Sequence, residues 1–189
     1  MPLVPMLRTK YSEAELASAL TTSLLAFQPN ATDTMGAILL GHIYFETGNG
    51  DKLWNNNPGN TTTKGDPADY WQAKGNPLKF SAYPSIAEGF DDYFSFLKAR
   101  RSLLRTAAAG DVAAFAQAVN DTGYTPGVDV DRVSDAVGSS AAAILKRGTF
   151  AALPKGPKLS VSSSGTDWGL PLLFIVAAFW FLKSRKSRR

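Results

Sequence analysis

Residues 32–47, TDTMGAILLGHIYFET, carry formal charge only near their two ends, at Asp33 and Glu46. Met35, Ile38, Leu39, His42 and Glu46 recur at steps of three and four, the spacing that lines up side chains on one helical face. Thr32 or Asp33 can cap the start and Gly48 can end the helix. The apolar stripe faces inward, so the last turn carries Glu46 to the place where that face emerges. Burial near Tyr44 and Phe45 disfavours its carboxylate. The negative end of the helix dipole disfavours it further, by ~0.3–1 kcal/mol. An acid held protonated near neutral pH can donate a proton to a leaving oxygen. The alternative is a glutamate fraying into solvent. His42, one turn earlier, is within reach of Glu46 or of a substrate; a lone histidine on an apolar face is otherwise a satisfied core residue. The loop that follows, GNGDKLWNNNPGN, is built from the residues that favour turns.

Composition removes several chemistries. The 189 residues suffice for one domain and an appendage, and the absence of cysteine excludes disulfides and thiolate catalysis. One histidine does not make a histidine-rich metal site, so no metal and no cofactor are expected. The net charge of +4 is concentrated in the last residues, KSRKSRR, where Lys183, Arg185, Lys186, Arg188 and Arg189 meet no acid. The remaining 15 basic residues face 16 acidic ones, which gives no basic groove for nucleic acid.

Four segments follow from these shifts: a folded domain over 1–150, a flexible linker over 151–167, a transmembrane helix over 168–182 and a basic tail over 183–189. The linker is rich in proline, glycine and serine. WGLPLLFIVAAFWFL has no charge; as a helix it spans roughly 22 Å against a hydrocarbon core of ~30 Å, within reach of local thinning and of snorkelling by Lys183. The tail can bind a polyanion, either acidic lipid or a genome, or serve only to stop transfer. No cleavable signal is legible in MPLVPMLRTKYSEAEL.

Within the domain, helices are expected from Ser12, over 32–47, from Ser85 to about Ala107, from Asp111 to Val119 and from about Asp131 to Leu145. Two short strands flank Gly75-Asn76-Pro77. The fold class is therefore α+β, mainly helical with a small β-hairpin, followed by the C-terminal transmembrane helix.

HIYFETGNG, NNNPGN, FSAYPSIAEGFDDYFSFL and GYTPG together resemble the glucosaminidase family of peptidoglycan-cleaving enzymes, within the lysozyme-like superfamily. The resemblance covers roughly residues 30–145. The family's E-S-G-x-G is met by Glu46, Thr47, Gly48 and Gly50, and its N-N-x-x-G loosely by Asn56, Asn57 and Gly59. Its F-x-A-Y-x-S-x-x-E-S-F-x-D-Y is met in register by Phe80, Ala82, Tyr83, Ser85, Glu88, Phe90, Asp92 and Tyr93, with Gly89 in place of serine. Of its late G-Y-A-T-D only Gly123 and Tyr124 are present.

The resemblance implies a lysozyme-like domain that cleaves peptidoglycan glycan strands, with Glu46 as catalytic acid and Tyr124 on the substrate side. Asn56, Asn57, Tyr83, Trp71 and His42 are the further substrate-binding candidates. A second acid, common in the family, has only Asp66 and Asp69 as candidates here, with Asp51 more distant, and no motif anchors them. Two carboxylates would make an N-acetylglucosaminidase. Glu46 alone, with the sugar's own hydroxyl as nucleophile, would make a lytic transglycosylase, and that reading is preferred.

A catalytically inactive, membrane-anchored structural or cell-wall-binding protein is the rival expectation. An enzyme with a C-terminal anchor and no export signal is expected in a host inner membrane or in the internal membrane of a bacteriophage virion. There it would be a single-pass protein that breaches the cell wall.

Overall fold

A computed structural model of the chain describes residues 3–62, 69–75, 78–124 and 128–161. Six helices and one two-stranded sheet occur among them: α1 Glu13–Phe27, α2 Asp33–Thr47, β1 Tyr70–Trp71, β2 Phe80–Ser81, α3 Ile86–Lys98, α4 Arg101–Ala108, α5 Val112–Asp121 and α6 Val130–Arg147. The strands pair antiparallel, Tyr70 with Ser81 and Trp71 with Phe80. The arrangement is α+β and dominated by helix.

α2 is the axis of the core. Every residue from Asp33 to Ile43 is buried, and α1, α4 and α6 pack around it. The closest crossing is with α6, where a Cβ on Gly41 would stand 2.9 Å from the Val137 carbonyl oxygen. α1 opens with a capping box between Ser12 and Glu15, and α2 with the Thr32 hydroxyl accepting from the Met35 N–H. Glu13 joins three helices. Its carboxylate takes both Arg147 Nη2 at 2.6 Å and Nε at 3.0 Å, together with the Tyr44 hydroxyl at 3.1 Å.

The single helix expected from Ser85 to Ala107 is two. Phe90, Tyr93, Phe94 and Leu97 set the buried stripe of α3, which an unbroken helix would continue through Arg100 or Arg101. Leu103 and Ala107 carry the buried face instead, so the chain breaks at Arg100 (φ −121°, ψ 65°) and restarts in a new phase. This break brings Arg100 to the edge of a cleft.

Two extended segments hold the helices. Near the N-terminus, Val4 N–H bonds to the Tyr70 carbonyl, Asn55 N–H to that of Leu7 and Thr9 N–H to that of Leu53. At the other end, residues 151–161, whose composition reads as linker, lie packed on the domain. Phe150 and Leu153 are buried, Lys155 Nζ and Gly156 N–H both reach the buried Asp33 carboxylate, and Ser160 exchanges backbone bonds with Gly110 and Val112. Proline and glycine suit an extended strap as well as a free linker, and two apolar anchors decide between them.

The transmembrane expectation is corrected. Among the described residues no helix is long and apolar enough to cross a membrane. The longest, α6, carries Asp131, Arg132, Asp135, Lys146 and Arg147. The run 168–182 and the basic tail 183–189 lie outside the described residues, so the single-pass assignment, in a host or virion membrane, is not carried forward.

Candidate functional site

Glu46 closes α2, and the chain leaves it through Gly48 in the left-handed conformation (φ 57°, ψ 58°). Thr47 then pins the exit: its hydroxyl donates to the Ile43 carbonyl at 2.7 Å and accepts from Gly50 N–H at 3.0 Å. A serine-like hydroxyl is all this requires, so threonine serves in its place. Asn49, Asn55, Asn56 and Asn60 all have positive φ, between 48° and 58°. Asparagine tolerates that region better than other residues with a Cβ, which accounts for the crowding of asparagine after Glu46.

The loop folds back over the end of α2 and forms one wall of a cleft of about 230 Å³. Glu46 lies in it with Gly59, Asn60, Thr61 and Thr62 from the loop; Phe96, Arg100, Gly123 and Tyr124 form the facing wall. The Glu46 side chain is 11% exposed, and its Oε1 is buried with no hydrogen-bond partner. Burial pushes its pKa up to about 8, against a smaller opposing effect of the Asn60 amide. That amide donates to the Glu46 backbone carbonyl at 2.8 Å, fixing the loop to the helix end. At neutral pH Glu46 is therefore a carboxylic acid facing a polar cleft.

His42 lies behind it, fully buried. Its Nδ1 pairs with the Tyr93 hydroxyl at 2.9 Å, and its Nε2, with no hydrogen-bond partner, stands 3.6 Å from Glu46 Oε1. Burial holds the imidazole neutral, with its pKa pushed down to about 3. The pair is thus two neutral groups rather than a salt bridge. Being enclosed, His42 cannot touch a substrate, which corrects that expectation.

Tyr124 is in the cleft with Glu46. Its hydroxyl donates to the Gly59 carbonyl, and its ring stands edge-on to His42 and to Phe96 at 4.9 and 4.8 Å between centroids. It braces the loop and lines the cleft.

The other candidates are not brought there. Asn56 is spent on the Tyr83 carbonyl and the Tyr11 hydroxyl. Asn57 is spent on the carbonyls of Thr61 and Ser81 and on Thr61 N–H. Both hold the loop rather than a sugar. The Tyr83 hydroxyl donates to Asp92 Oδ2 at 2.6 Å, and burial, with that bond adding to it, pushes its pKa above the ordinary phenol range. Trp71 stacks on its cross-strand partner Phe80 at 4.6 Å and is buried, with no place in the lining of the cleft. Asp69 is exposed and lines no part of the cleft, and Asp66 lies outside the described residues. No cluster able to hold a metal occurs among the described residues.

Phe96 and Arg100 are not legible as site residues in the sequence: Phe96 reads as one more apolar residue of α3, and Arg100 reaches the cleft only through the helix break. Gly89 is the closest approach of α3 to the loop, where a Cβ would stand 1.9 Å from the Asn56 carbonyl oxygen. Glycine in place of the serine of the resembled motif thus lets α3 seat against the asparagine loop.

No protein-family model, no curated protein and no solved structure matches the chain.

Proposed function

We propose that this chain cleaves the glycan strand of peptidoglycan, with Glu46 as proton donor. The observation that carries the reading is the Glu46 carboxyl itself: buried at a helix end, raised to about 8, and opening on a cleft edged by amide and hydroxyl groups. A glycosidic oxygen leaves only when protonated, and an acid with a pKa near the working pH is suited to supply that proton.

Glu46 is the one carboxylate among the described residues that line the cleft, which supports the single-acid path. In that path Glu46 gives its proton to the glycosidic oxygen as the C1–O bond breaks. The resulting carboxylate then takes the proton of the same sugar's C6 hydroxyl as that oxygen bonds to C1. The product is a 1,6-anhydro end, no water is consumed, and Glu46 is protonated again. The test is Glu46→Gln on purified peptidoglycan. Activity should fall by ~10²–10⁴-fold with the fold intact. Wild-type clearance by the variant would refute the assignment. Mass spectrometry of the fragments separates the two chemistries: 1,6-anhydro ends support the single acid, and reducing ends require a second group to activate water.

A further inference from the structure

Arg100 is the only cation among the described residues that line the cleft, and no carboxylate among the described residues lies within ion-pair distance of it. Its guanidinium carbon stands 3.6 Å from the centroid of the Phe96 ring, and Nη1 donates to the Phe96 carbonyl at 3.5 Å. Stacking on one face and a bond at one edge fix the plane of the fork, and the remaining donors are left for a ligand. The helix break at Arg100 puts the group there: an unbroken α3 would carry it on along the buried stripe. Glu46 is uncharged at neutral pH, so Arg100 sets the sign of the cleft. A positively charged cleft wall with a pre-oriented fork matches a carboxylate.

We infer that Arg100 forms a subsite for a carboxylate carried by the glycan, so that the cleft selects an acidic amino-sugar polymer over a neutral one. The inference rests on the proposed glycan cleavage and deepens it, naming the group on the strand that the cleft would recognise. Two groups on a peptidoglycan strand offer the chemistry: the lactyl carboxylate of a muramic acid freed of its peptide, and the carboxylates of an attached stem peptide.

The experiment uses the full chain carrying Glu46→Gln, which binds without cleaving, with and without Arg100→Met and Arg100→Lys. Methionine keeps an unbranched stem against Phe96 and removes the charge. Affinity is measured for peptide-free glycan strands, peptide-bearing strands and a neutral chito-oligosaccharide, at low and high salt. Arg100→Met is expected to weaken binding of a carboxylate-bearing strand by roughly ten- to a hundred-fold, in keeping with a hydrogen bond to a charged group, and that of the neutral polymer far less. Lysine should recover part of the loss, and the effect should shrink with salt. Loss confined to peptide-free strands assigns the lactyl group, and loss confined to peptide-bearing strands assigns the stem peptide. Equal losses on charged and neutral polymers, or no loss, would overturn the anion subsite while leaving Glu46 as the acid. Failure of the otherwise native chain to cleave peptidoglycan would remove both readings together.

Discussion

His42 Nε2 and Glu46 Oε1 face each other at 3.6 Å inside the protein, and neither atom has a hydrogen-bond partner. The imidazole is held from behind by the Tyr93 hydroxyl, which can donate or accept. With Nδ1–H donating to Tyr93, Nε2 is an acceptor suited to a protonated Glu46. With Tyr93 donating to Nδ1, Nε2–H is a donor suited to the carboxylate. Each neutral tautomer thus suits one protonation state of Glu46, and in neither does the imidazole carry charge. His42→Phe leaves the buried Tyr93 hydroxyl without its partner, so it should destabilise the fold by ~1–3 kcal/mol, and it should lower kcat by roughly three- to ten-fold, the worth of one neutral hydrogen bond drawn together during turnover, with KM little changed. Unchanged kcat across the pH profile would reduce His42 to a packing residue.

Glu46 should cost stability where it is needed for chemistry. Its folded pKa is raised, so its contribution is fully present below the unfolded value near 4.5 and is lost as pH rises through about 8. His42 has the opposite slope: depressed to about 3, its contribution is present above 6.5 and lost as pH falls through 3. The lowered pKa values of Glu13 and Asp33 add to that acid-side loss. Unfolding free energy should accordingly be greatest between the two limbs and decline toward pH 8. Glu46→Gln should flatten the alkaline decline and raise stability at pH 8 by ~1–3 kcal/mol while abolishing activity. Urea titrations of both proteins from pH 5 to 9 would show it, and parallel curves would contradict the buried acid.

The sequence makes Glu46 legible because helical periodicity and the following glycine locate a helix end, and both are local signals. Asn56 and Asn57 mislead for the opposite reason. Their amides look suited to sugar hydroxyls, yet they are consumed by the backbone of Tyr83 and Ser81, more than twenty residues away. Arg100 stays hidden because KARRSLLRTA favours helix throughout, and only the phase of the buried face forces the break. The strap over 151–161 is misread because composition does not reveal that Asp33, buried at the start of α2, needs partners from it.

Gly89 offers a test of how the loop is seated. The resembled motif has serine here, so Gly89→Ser looks conservative. Its Cβ would fall 1.9 Å from the Asn56 carbonyl oxygen and 2.8 Å from Pro58 Cδ, and backbone must move to admit it. Overpacking of this kind costs typically ~1–3 kcal/mol. The melting temperature should drop, and cleavage should fall further than stability alone explains, because Asn60 and Thr61 move with the loop. A variant as stable and active as the parent would show that α3 and the loop can separate freely.

The C-terminal strap gives the remaining expectation. Asp33 is 4% exposed; burial raises its pKa, but Lys155 at 2.9 Å and Gly156 N–H at 2.8 Å outweigh that and hold it ionised. A chain ended after Phe150 leaves the carboxylate buried without either partner and uncovers the site of Leu153. Stripping partners from a buried charge costs up to ~3–5 kcal/mol, less here because Lys155 is largely exposed and water can enter. A chain ended after Val161 keeps every one of these contacts. Urea unfolding at pH 7 should therefore place the longer chain above the shorter by ~2–4 kcal/mol. Asp33→Asn separates the causes: it should recover part of the deficit in the chain ended at 150 and destabilise the chain ended at 161. Equal stability of the two truncations would mean that the strap lies on the domain without holding it.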